Sequence, residues 1–149
     1  MNINAVNHCF PLNGNPGNPE IFGVQNIVET YCQTLPKIGL GGPTLFAPLL
    51  QQFLDYVQNI GNAPVYNILL LLTDGIINDM PQTISLLVKL SALPCSIIIV
   101  GVGNADFSQM DTLDGDGGLL RDSAGNAVLR DLVQFVSFNK CVAQGNLGE

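Results

Sequence analysis

The sequence predicts an α/β fold: a doubly wound, mostly parallel sheet with helices on both faces. Three observations predict it. Two short, evenly apolar runs, from Tyr66 to Thr73 and from Ser96 to Val100, have the length and composition of strands buried on both faces. Segments with helical spacing alternate with them. Glycine-rich or acidic loops follow the carboxyl end of each run, where open α/β sheets place their ligands.

The elements follow in order. Asn13 to Pro19 form a turn-rich Asn-Gly-Pro link, and Asn18-Pro19-Glu20 then supplies an N-cap, a first-turn proline and an acid near the positive helix end. A helix is predicted to begin there, with Ile21, Val24, Ile27, Val28 and Tyr31 as one buried stripe ending before Pro36. Leu49, Leu50, Phe53, Leu54 and Val57 mark a second amphipathic helix, stopped by Gly61. Asp79, with Pro81 close behind, caps a third that carries Ile84, Leu87 and Val88 and is blocked by Pro94. After the second strand come a short helical patch near residues 107–113, a hairpin about Ser123-Ala124-Gly125-Asn126 and a last strand near residues 132–137. The small, polar tail from Asn139 to Glu149 is predicted to fray.

Composition narrows the function. With 149 residues and 47 % hydrophobic content, one domain with a substantial core is the expectation. Charged residues make up only 11 %, against roughly 25 % in an average soluble domain, which excludes a disordered chain. A net charge of −7 and five scattered Lys and Arg residues give no stripe for nucleic acid. The same acidity opposes direct adsorption to anionic lipid. Cys9, Cys32, Cys95 and Cys141 form no Cys-x-x-Cys pair and read as reduced, mostly buried thiols. With no leader-like stretch after Met1, the expected setting is the cytoplasm.

Two loops carry candidate chemistry. Leu72-Thr73-Asp74-Gly75 puts an aspartate just past a buried strand, where it either meets a ligand or caps nearby amides. Gly41-Gly42-Pro43-Thr44 puts a hydroxyl where loop becomes helix, either as an N-cap or as a second oxygen donor. Together they offer the hard oxygens that Mg²⁺ accepts.

Other motifs are weaker. Gly101-Val102-Gly103-Asn104-Ala105-Asp106 has two glycines of a dinucleotide fingerprint but Asp106 at the third position, and structural turn glycines explain it better; a nucleotide-dependent enzyme using this turn is the alternative reading. Asp114-Gly115-Asp116-Gly117-Gly118 hints at a calcium loop, yet Gly125 stands where an EF-hand needs its bidentate glutamate, leaving Asp114 and Asp116 as contacts of a loose surface cation. His8-Cys9 are mere sequence neighbours, and no nucleophile and base are paired in the manner of a thiol or serine hydrolase.

In order and spacing, Gly42-Pro43-Thr44, Leu72-Thr73-Asp74-Gly75, the run from Ser96 to Ser108, Leu113-Asp114-Gly115-Asp116 and Arg130-Asp131-Leu132-Val133-Gln134-Phe135-Val136 resemble the von Willebrand factor A-type domain of copines. The resemblance covers nearly all of residues 8–138. It implies a metal-ion-dependent adhesion site holding Mg²⁺ or Mn²⁺, with Thr44 and Asp74 at two ligand positions. The family's other three ligands come from an Asp-x-Ser/Thr-x-Ser motif after a central strand, and no segment of this chain fits it. The domain is therefore expected to be partial at its N-terminal side, with any Mg²⁺ or Mn²⁺ held weakly.

The resemblance further implies a non-catalytic module that binds a protein partner, through a partner carboxylate at the metal-site face. The parent family carries calcium-dependent phospholipid-binding modules, so membrane contact would be indirect, with recruitment to the plasma membrane as Ca²⁺ rises. The central strand of the family's sheet would lie beside the run from Tyr66 to Thr73. Without it that edge is open, and self-association through the strand edge is expected.

Overall fold

The computed structural model describes residues 6–61, 63–115 and 118–145. The chain divides into two compact units, Met1–Pro43 and Thr44–Glu149.

In the first unit the asparagine-rich link folds on itself. Asn13 Oδ1 accepts the Asn15 amide at 2.9 Å, Asn15 Oδ1 accepts the Gly17 amide at 3.1 Å, and Asn13 Nδ2 donates to the Asn18 carbonyl at 2.8 Å. Asn18 is thus held in the turn and does not cap a helix. Helix α1 spans Val24–Thr34, starting after Gly23, whose φ of 84° lies where only glycine is unstrained. A 3-10 turn, Leu35–Lys37, closes it. The predicted buried stripe does not form: α1 has no buried residue, and Val24, Ile27, Val28 and Tyr31 are all exposed. A unit this small encloses too little apolar material to bury a helix face by itself.

The second unit alternates helix and strand. Its elements are α2 (Ala47–Ile60), β1 (Asn67–Thr73), α3 (Met80–Leu90), β2 (Cys95–Gly101), α4 (Ser108–Asp114), β3 (Val133–Ser137) and α5 (Phe138–Ala143). The three strands form one parallel sheet in the order β1-β2-β3, with Leu71 opposite Ile99 and Ile97 opposite Val133. This is the α/β class that the alternation predicts, a parallel sheet flanked by helices.

One core serves the whole unit. Leu50, Leu54 and Val57 of α2, Leu86, Leu87 and Leu90 of α3, and Met110 and Leu113 of α4 meet Leu71, Ile97, Ile99 and Val133 of the sheet. Burial of each such aliphatic side chain stabilises the fold by about 1.5–3 kcal/mol. Gly61, at φ 62°, ends α2. The Ser91 hydroxyl donates to the Val88 carbonyl at 2.7 Å where α3 ends, before Pro94 is reached.

Two expectations are corrected here. β1 is buried on one face only: Asn67, Leu71 and Thr73 point inward, whereas Ile68, Leu70 and Leu72 are 63 %, 59 % and 67 % exposed. Among the described residues of the second unit no helix covers this outer face, and β1 is an edge strand of the sheet. The stretch predicted to fray from Asn139 holds the helix α5 over Phe138–Ala143. Asn139 Nδ2 donates at 2.8 Å to both the Gly103 carbonyl and Asn104 Oδ1, which anchors α5 at the end of β3. Residues 146–149 lie outside the described residues.

Candidate functional site

Thr44 and Asp74 both lie in the second unit, and both are exposed. Asp74 follows β1 directly, at the carboxyl end of the sheet. Thr44 is three residues ahead of α2 and does not cap it; the N-cap position belongs to Phe46, which has no capping side chain of its own.

What joins the two loops is the pair Asn78–Asp79. The Thr44 amide donates to Asn78 Oδ1 at 3.1 Å, and the Asn78 amide returns a bond to the Thr44 carbonyl at 2.9 Å. The Asp79 carboxylate, only 7 % exposed, then accepts the Phe46 amide at 3.0 Å and the Ala47 amide at 2.7 Å. Thr83 Oγ1 donates to the same carboxylate at 3.3 Å. A negative charge at the first turn of α2 satisfies amides that have no partner within the helix, and it meets the positive end of the helix dipole.

Asp79 therefore occupies the N-cap position of α3, as the sequence predicts, while its side chain caps α2. This clamp was not legible in the sequence, because its partners lie 32 to 34 positions away. The only hint is an acid beside an amide residue, a few positions past a strand end. Its consequence is that the Thr44 loop is spliced to the loop that follows Asp74. The Ile77 amide, donating to Gln109 Oε1 at 2.9 Å, ties that loop in turn to α4.

Two neutral-to-anionic oxygens are of the right chemical kind for Mg²⁺ or Mn²⁺ but too few in number. Among the described residues no group of three or more His, Cys, Asp or Glu side chains is arranged to hold an ion. A hydrated divalent cation that keeps most of its waters gains little from two exposed donors. The described residues do not by themselves fit a resident metal.

The remaining candidates separate. Asp114 is the last residue of α4, and its Oδ2 accepts Gln134 Nε2 at 3.3 Å; Asp116 lies outside the described residues. In the Gly101–Asp106 turn, a Cβ on Gly101 would come within 2.8 Å of the Phe107 ring. That glycine serves close packing, and Phe107 in turn meets Phe135 with ring centroids 5.6 Å apart. Asp106 Oδ1 accepts the Ser108 amide at 2.9 Å, a bond that lowers its pKa. Of the four cysteines, only Cys95 is buried; Cys32 is exposed, which corrects the expectation of mostly buried thiols. Burial pushes the Cys95 thiol up, against a smaller opposing pull from Arg130.

The profile of the copine family matches residues 2–148 of the chain. The chain belongs to the copine family. Copine-C of Dictyostelium discoideum is 45 % identical over 137 residues, covering 91 % of this chain. The match takes in 25 % of that relative, so the chain spans about a quarter of the length of the curated copine it matches. The parallel sheet and its flanking helices agree with a partial A-type domain of a copine. Among the described residues, no helix is long and apolar enough to cross a membrane.

Proposed function

We propose that this copine-family chain is a non-catalytic protein-binding module, and that it recruits its partner along the open edge of β1. The observation that carries the reading is the state of that strand. β1 pairs on one side only, and the same strand exposes Ile68, Leu70 and Leu72. It contains no charge and no proline, the usual devices that discourage strand addition. An added strand would satisfy the backbone groups of β1 and cover its three side chains together.

Thr44, in the loop bonded to Asn78, and Asp74, which follows β1, are proposed to lend two oxygens to a Mg²⁺ or Mn²⁺ ion. Donors outside the chain, such as a partner carboxylate, would complete its shell. The parent protein is proposed to reach phospholipid membranes in a calcium-dependent way through other domains, and to reside in the cytoplasm otherwise. The packing of Gly101 against Phe107 supports a structural role for the 101–106 turn over the nucleotide-enzyme alternative.

Sedimentation and light scattering test the edge. In the absence of another partner, the chain is expected to self-associate with rising concentration, and Leu70→Lys, exposed on the edge strand, is expected to return it to monomer. A monodisperse wild-type monomer at high concentration would sink the strand-addition reading. For the ion, any thermal shift on adding Mn²⁺ is expected to vanish in Asp74→Ala; a shift that survives the substitution places the ion elsewhere.

A further inference from the structure

At the other edge of the sheet, beside β3, a cavity of about 330 Å³ lies between α3, α4, β3 and the hairpin arms at Leu120 and Val128. Its apolar lining comes from Leu87 of α3, Leu113 of α4, Val133 of β3, and Leu120 and Val128 of the hairpin. The volume falls at the lower end of small-molecule sites and equals about ten water-sized groups at ~30 Å³ each.

The roof is built rigidly. Arg121 and Ala127 bridge antiparallel, and the Val128 amide donates to the Leu120 carbonyl at 3.0 Å. Asp122 closes the turn, accepting the Ala124 amide at 3.0 Å and the Asn126 amide at 2.8 Å. The descending arm is fastened below, where the Leu129 amide donates to Ser91 Oγ at 2.9 Å. A void held open by such anchors costs a ligand little ordering on entry.

Three charged residues line this cavity: Asp114, Asp131 and Arg130. The guanidinium is already turned to main-chain carbonyls, Nη1 to Asp131 and Nη2 to Leu93 and Cys95. An anionic ligand would have to compete with those bonds while facing two carboxylates, whereas a cation meets a net negative rim.

We infer that this cavity binds a small amphiphile with an apolar body and a protonated amine. The inference stands apart from the strand-edge reading, because β1 and the cavity occupy opposite edges of the sheet. Titration of the full chain with phenethylamine, followed by backbone amide NMR, tests it. Saturable shifts are expected at Leu120, Val128 and Val133, with phenylpropanoate at the same concentration producing none. Val128→Phe, which fills the space, should abolish the response. Asp131→Lys, at an exposed position, should weaken the amine at least tenfold and let the carboxylate in; it decides alone if the filled variant does not fold. Unmoved cavity amides, an equal response to the two probes, or a preference unchanged in Asp131→Lys would each overturn the assignment.

Discussion

At the scale of single residues, Asp79 carries more structure than any other polar side chain at the candidate site. Its carboxylate accepts two amides of the α2 N-terminus and the Thr83 hydroxyl from a nearly buried position. Asp79→Ala is expected to cost about 2–3 kcal/mol in chemical denaturation, the loss of a helix cap plus amides left unmet. Asp79→Asn, which keeps one acceptor, should cost roughly half as much. Asp122 gives a pH dependence. Its pKa is lowered, first by the Asn126 side chain and then by the amides of residues 124–126. A lowered folded pKa contributes stability that is complete above the unfolded value, near 4, and is lost as pH falls through the folded one. Protection of the amides in the 121–127 turn, taken relative to their intrinsic exchange rate at each pH, is therefore expected to fall below about pH 4, and Asp122→Asn should remove that change.

At the scale of elements, α1 and α2 show what periodicity reads and what it does not. Both have apolar residues at helical spacing, and both are helices. Only α2 buries its stripe. Leu54→Ala is expected to destabilise by about 2–5 kcal/mol, because it opens a cavity in the shared core. Ile27→Ala, on the exposed stripe of α1, should stay within about 0.5 kcal/mol. A pair of urea melts checks the contrast. β1 carries the same lesson in strand form. Its seven residues were legible as a strand from their apolar run, but an apolar run does not reveal whether one face or two will be covered. That depends on which helices arrive, and among the described residues of the second unit none covers Ile68, Leu70 and Leu72.

At the scale of the molecule, every residue of the hydrophobic core belongs to the second unit. Residues 44–149, produced without the first 43, are expected to keep a cooperative thermal transition within a few degrees of the full chain. Loss of the transition would show that the core depends on the first unit.

The sequence by itself determined the α/β class, the places of all three strands, helices α2 to α4 and the copine family. Those features are local: length, spacing, proline and glycine punctuation, and motif order are written along the chain. It also marked Thr44 and Asp74 as neighbours in kind. Tertiary structure alone decided that Asn78 and Asp79 splice their loops, that Asp79 caps α2 across more than thirty positions, that Asn139 ties α5 to the turn at residues 103–104 and that one face of β1 stays bare. Each is a relation between residues distant in sequence, fixed by which main-chain amides and apolar faces have no nearer partner.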